Sequence, residues 1–425
     1  MFLRYSMEFN ITDNNKIKIG KLIHYYRKNI YKHVSQETFL KNQFNEQICT
    51  RQTLSKLEKG NIIKQDRIYE ELLQNFHLKY NTKYSIDEMI TQTMCSDLLY
   101  SCDYYQLDSL VELSKKYMKQ LEPYTQYVFF NEYYLCMHWI HTYYTDFILP
   151  TMDDARFIIS LKEIIHPDLY EVMMDLVFKC KSINSDYNFT YFNYKNSKTI
   201  INRGNYMMSL YNKSELNEMS KMCAILEKDC ISSNNFIRLL DIYTSEGLTL
   251  TETETKKFNL LIKKTENLIS SHKDKFPPLK INQMYKNFGL QSERLKLYNL
   301  AIIYLEKYIQ SNGLYIRIIN INLCICYEYE NQTEKLKQFI KDKEIYHGSS
   351  QYELLLNYFI YKYNMNYSSI SLSDFIVNDV PKILDETMAT FKDFFYDELT
   401  LLVDKTKRYK DLKDFLDATN NMLPK

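Results

Sequence analysis

Glycine and proline are scarce, with seven of each in 425 residues, against ordinary usage of about 7 % and 5 %. Sandwiches, barrels and doubly wound sheets need special turn residues at most connections, and this chain has too few. No GxGxxG or GxxxxGK string occurs, which excludes the glycine-built phosphate cradles of dinucleotide and P-loop enzymes. GxSxG, HExxH, HRD and DFG patterns are missing as well, so no catalytic constellation, no cofactor and no metal site is expected. CxxC is also absent. The nine cysteines are odd in number, and Cys95/Cys102 and Cys223/Cys230 are each seven apart, a helical spacing. They read as buried, reduced thiols of a cytoplasmic protein. The start, MFLRYSMEFNITDNN, has no apolar h-region and no run approaches 18 apolar residues, so neither secretion nor a membrane span is expected.

Hydrophobic residues make up 45 % and charged residues 25 %, enough to build a core and far from a disordered polymer. Tyrosine is abundant, with 39 copies. AT-rich coding would produce this enrichment, and tyrosine also suits grooves that take polar ligands. Charge is polarised. Residues 1–84 hold fifteen Lys and Arg against eight Asp and Glu, a net of +7, while the chain as a whole is at +1. A short basic segment before a neutral-to-acidic remainder is the footprint of a nucleic-acid-binding head.

Motifs occupy the same segment. Apolar residues at 19, 22, 23 and 26 form the stripe of a first helix. Ser35 is a natural N-cap for a second helix opening with Gln36-Glu37, and Thr50 for a third. The third helix carries Leu54 and Leu57 inward and ends at Gly60; a fourth runs from about Asp66 to Phe76. Gln36-Glu37 together with the string Thr50-Arg51-Gln52-Thr53-Leu54-Ser55-Lys56-Leu57-Glu58-Lys59-Gly60 resembles the Xre/Cro-type helix-turn-helix family. The resemblance implies a DNA-binding domain over residues 1–80. In it Gln36 meets a phosphate, Thr50 opens the reading helix, Arg51 and Gln52 read base edges, and Lys56 follows one turn on. Lys59, Asn61 and Lys64 would add backbone contacts. Arg and Gln suit this work because each grips a purine bidentately in the major groove. The family also implies that Glu58 pairs with an arginine of the first helix, here Arg27. Gln36 to Glu58 spans 22 steps, about four more than the family pattern, so the turn around Asn42 to Cys49 is enlarged.

Residues 81–425 read as helical stripes with short polar breaks and no strand. Helices are expected near 86–102, 106–121, 124–146, 154–166, 168–183, 215–230, 234–246, 252–272, 279–288, 292–311, 314–329, 332–343, 351–364, 380–403 and 407–421. Those opening near 279, 314 and 351 are each followed by a partner, a step of about 35 residues that matches the tetratricopeptide period. Gly289 and Glu330-Asn331 fall where intra-pair turns are expected, and 187–205 reads as an irregular connection. The fold class is therefore all-α: an N-terminal helix-turn-helix bundle followed by a tetratricopeptide-like solenoid over 81–425.

This combination resembles the Rgg/PlcR-type (RRNPP) peptide-sensing regulators. That resemblance implies a cytoplasmic homodimer that binds double-stranded DNA and alters that binding when a short signalling peptide occupies its repeats. Asparagines on inner helices would clamp the peptide backbone, since one amide both donates and accepts. Candidates are Asn131, Asn282, Asn320 and Asn357, with Tyr361, Tyr285 and Tyr358 as groove walls and helices over 380–421 for dimerisation. Two alternatives stay open: a repeat-based protein-interaction module, and a mobile-element regulator that senses a protein. His138 and His141 lie one turn apart, but no third ligand presents itself and packing is the expected role.

Overall fold

The computed structural model describes residues 10–81, 83, 86–183, 190–311, 316–347, 351–384 and 389–419. Among them the chain is all-helical and has no strand, and two isolated bridges, Lys41–Gln47 and Lys79–Tyr127, are its β-type pairings. No helix among the described residues is long and apolar enough to cross a membrane. The chain divides into two compact units, Met1–Arg238 and Leu239–Lys425.

The first unit opens with α1 (Asp13–Tyr25), which runs on into a single π turn, Tyr26–Ile30. Then come α2 (Gln36–Phe39), α3 (Arg51–Glu58) and α4 (Asp66–Gln74). The short α5 (Ile86–Met89) leads to α6 (Gln92–Asp103), α7 (Leu107–Leu121), α8 (Phe130–Asp146), α9 (Met152–Ser160), α10 (Pro167–Ile183), α11 (Ile200–Asn212) and α12 (Leu216–Ser232). The unit boundary falls inside α13 (Phe236–Glu246). One contiguous core joins Ile19, Leu22 and Leu54 of the first helices to Leu98, Met137, Ile158 and Leu169 of the later ones. The first four helices thus bury their apolar faces together with α6 and α8–α10 instead of closing a core of their own.

The second unit holds α14 (Thr255–Ser271), α15 (Pro278–Arg294), α16 (Tyr298–Gln310), α17 (Ile316–Tyr329), α18 (Thr333–Ile340), α19 (Gln351–Phe359), α20 (Ser369–Asn378), α21 (Val380–Ile383), α22 (Ala389–Thr406) and α23 (Lys410–Thr419). Helix α15 packs along α16, α16 on α17, and α17 on α19. Its core is aromatic, with Tyr358, Phe359, Phe394 and Phe395 all buried.

Several sequence expectations shift. The helix expected over 86–102 breaks at Thr91, whose side chain caps α6 by accepting from the Met94 N–H. The helix expected from 124 begins at Phe130, because Phe129 sits at φ +74°, outside helical space. Gly289 is in the interior of α15, not in a turn, and an added Cβ there would meet Leu305 of α16. Helix α11 begins inside the stretch expected to be irregular, with Thr199 as its cap, and α20 occupies residues for which no helix was expected. The segment 380–403 divides into α21 and α22, with 385–388 outside the described residues. All nine cysteines are free and buried.

Candidate nucleic-acid interface

Local rules build the α1–α4 head. Thr12, Ser35 and Thr50 cap α1, α2 and α3, each side chain accepting from the backbone N–H three residues on. Each such cap is worth about 1 kcal/mol. Leu54 and Leu57 are fully buried, worth roughly 1.5–3 kcal/mol apiece. Helix α3 ends at Gly60, whose φ of +81° is readily available only to glycine. Gly20 allows α1 to lie directly against α3: a Cβ there would collide with the Leu57 carbonyl.

Beside that crossing, Arg27 closes on Glu58 with both arms of its guanidinium, Nε to Oε1 at 2.6 Å and Nη2 to Oε2 at 2.8 Å. His24 Nδ1 lies 3.3 Å from the same carboxylate. Burial raises the Glu58 carboxyl, but the hydrogen bonds from Arg27 and His24 outweigh it and hold the group below its ordinary range. A charged, bidentate pair of this kind fixes geometry as well as distance, and here it sets the angle of α3 on α1.

With Leu54 and Leu57 inward, the outward arc of α3 carries Arg51, Gln52, Ser55 and Lys56, all exposed, and Lys59 and Asn61 continue it past the helix end. Thr50 is exposed, with its hydroxyl engaged in the cap. Gln36 is half-buried at the start of α2. Arg51 is paired with Glu37 across the gap between α3 and α2. Lys28, Lys32, Lys41, Lys56, Lys59 and Lys64 are exposed, and none makes an ion pair among the described residues. The turn expected to be enlarged is a small hairpin: Lys41 and Gln47 bridge, Ile48 N–H donates to Leu40 O at 2.8 Å, and Asn42 N–H to Glu46 O at 2.9 Å.

The head is seated on the rest of its unit. The Tyr26 hydroxyl donates to the buried Glu132 of α8, and Tyr25 donates to the Asp153 carbonyl at 3.3 Å. Phe157 of α9 packs against both rings, at 5.0 and 5.6 Å. Lys21 pairs with Glu163, and Lys18 Nζ reaches the Ile164 carbonyl at 3.4 Å. Burial raises both the Tyr26 phenol and the Glu132 carboxyl, as expected of a contact shut off from water. Sequence reading missed this seat; its one trace was the position of Tyr26 on the apolar stripe.

The expected peptide contacts are divided between the two units. Asn131 lies in the first unit, half-buried at the start of α8 and next in sequence to Glu132. The others belong to the second unit. Asn282 Nδ2 is 3.4 Å from the Ser311 carbonyl, and Asn320 is buried on α17. Asn357 accepts from Tyr346 N–H at 2.8 Å and donates to Tyr346 O at 2.9 Å, so its amide clamps the chain's own backbone. Tyr361 stacks on Tyr367 at 4.6 Å. His138 is exposed and His141 half-buried, the latter near the Ser114 hydroxyl at 3.5 Å. Compared with known proteins, the chain matches no family model, no curated sequence and no solved structure.

Proposed function

We propose that this chain is a DNA-binding transcriptional regulator whose α3 enters the major groove, and that its second unit senses a short peptide. One observation carries the DNA half: a rigidly held helix turns Arg51, Gln52, Ser55 and Lys56 to solvent while its other side is fixed by Leu54, Leu57 and the Arg27–Glu58 pair. Arg and Gln at the tip of an exposed helix match the bidentate code of guanine and adenine, and the unpaired lysines around it match phosphates. On this reading α1–α4 form a helix-turn-helix of the Xre/Cro type, presented in pairs by a cytoplasmic homodimer to a two-fold operator.

The peptide half rests on the stacked pairs α15/α16 and α17/α18, on α19 and α20 that follow them, and on the amides they carry. Such stacks offer extended binding surfaces.

The test is a gel-shift series on duplex DNA flanking the gene, with and without short peptides that the neighbouring open reading frames encode. Specific binding should weaken steeply as salt rises, because counterion release drives it. Arg51→Ala should cost about 1–3 kcal/mol and relax specificity at one base pair. Calorimetry of peptide titrated into the protein–DNA complex reads the second half. Absence of salt-sensitive duplex binding would overturn the DNA reading and leave a repeat-based interaction module, whose head docks protein.

A further inference from the structure

The hairpin between α2 and α3 holds an aromatic ring that none of the described residues covers. Phe44 is 73 % exposed, the highest value among the large hydrophobic side chains described. Its setting is stiff. The Asn42 Oδ1 accepts from Phe44 N–H at 3.0 Å and from Glu46 N–H at 2.9 Å, and Asn42 Nδ2 donates to Glu46 Oε2 at 3.0 Å. Asn45, next to the tip, adopts φ +64°, which asparagine tolerates better than most residues. A cleft of about 760 Å³ lies between the hairpin and Tyr31, Asn75 and His77. The ring is thus presented on a preformed backbone support, and little backbone entropy remains to be lost on binding.

What surrounds it selects the partner. Gln43, Asn45, Glu46 and Gln47 are all exposed and polar, so the ring belongs to no apolar run along the hairpin, whereas a protein-docking site is built on an apolar centre. The hairpin returns through Ile48 and Cys49 to Thr50, the cap of α3, and so rises from the same end of α3 that carries Arg51 and Gln52. From Ile48 to the tip is about four residues, a reach of roughly 13 Å at extended spacing, close to the ~12 Å width of the major groove.

Resting on the DNA reading above, we infer that the 41–48 hairpin is a second DNA-contacting element and that Phe44 wedges between stacked base pairs in the minor groove flanking the groove held by α3. Apolar wedges of this kind unstack one step and kink the duplex, and the exposed amides beside it suit the acceptor edges there. The ring adds affinity and a preference for a flexible pyrimidine–purine step.

The experiment uses the whole chain and a 30-base-pair duplex that it recovers from a random pool, with 2-aminopurine placed at each step outside the α3 site in turn. Wild-type protein should brighten the probe at one step, reporting unstacking, and a fluorescence-transfer pair on the duplex ends should report a bend. Phe44→Ala should abolish both signals and weaken binding roughly ten- to hundredfold, the range for losing one aromatic–base stack, with an unchanged melting temperature. Phe44→Leu should restore part of the bend. If Phe44→Ala binds within twofold of wild type, or if the probe stays dark at every step, the wedge is overturned while the DNA reading stands. If wild type recovers no duplex at all, both fall.

Discussion

Glu58 of the head and Glu293 of the second unit are acidic side chains shut away from water, yet they differ in what faces them. Glu58 receives both arms of Arg27 and is held below the ordinary carboxyl range in spite of burial. Glu293 receives the Asn322 amide at 2.6 Å, and burial pushes it up to about 8. The first is a charge used to fix the angle between two helices. The second is a neutral acid packed between α15 and α17 through much of the pH range. A buried carboxyl therefore marks a geometric constraint in one unit and a pH-dependent weakness in the other, and the neighbouring cation decides which.

The largest expected effect comes from removing that cation. Arg27→Ala leaves the part-buried Glu58 carboxylate with His24 as its remaining partner, and stranding a charge in this way costs up to about 3 kcal/mol. Thermal or urea unfolding should show it, and Arg27→Lys should recover part of the loss without the bidentate geometry. The sign with pH follows. A depressed carboxyl contributes stability above its unfolded value, lost as pH falls through the lower folded value, so the head should weaken in acid and Arg27→Ala should flatten that slope. An unchanged melt would break the comparison at its first term.

Glu293 predicts the opposite slope. The unfolded chain ionises this carboxyl near 4.5 while the folded unit keeps its proton until about 8. Its contribution to stability is thus complete below 4.5 and declines as pH rises towards 8. Glu293→Gln keeps an acceptor for Asn322 and cannot ionise. It should raise stability by about 2 kcal/mol at pH 6 and change little at pH 4, as measured by urea midpoints across that range. Equal effects at both ends would mean that a paired or hydrated carboxylate occupies the site.

How much of this was legible in the sequence depends on range along the chain. The caps Ser35 and Thr50, the inward Leu54 and Leu57 and the turn at Gly60 follow from local chemistry, and each stands where its spacing puts it. So do most helix centres in the second unit. Helix ends moved where a cap or a strained residue intervened, as at Thr91 and Phe129. Gly289 misled because glycine marks turns and close helix crossings alike, and only the partner helix, with Leu305, distinguishes them. The seat of the head on Glu132 and Phe157 joins residues more than a hundred positions apart, and no local pattern encodes it. The enlarged turn was visible as a count of residues, but its hairpin form depends on the Asn42 side chain, whose hydrogen bonds no spacing reveals.

The smallest effect sharpens the comparison most, because it places a third carboxylate between the other two. Glu37 pairs with Arg51 at the surface, with side chains 74 % and 60 % exposed. An exposed pair of this kind contributes well under about 1 kcal/mol to stability, so Glu37→Gln should leave unfolding unchanged within error. Its consequence lies in binding. Arg51 cannot grip a base while its guanidinium holds Glu37, and the carboxylate repels the phosphates on either side. Removing the charge should tighten duplex binding by about two- to fivefold, roughly 0.5–1 kcal/mol. The gain should shrink as salt rises, since exposed charges are screened within about 10 Å at 0.1 M. If Glu37→Gln instead weakens binding at low salt, then Glu37 orients Arg51 for its contact, as Glu58 orients α3, and the surface pair belongs with the geometric carboxylates and not with the competitors.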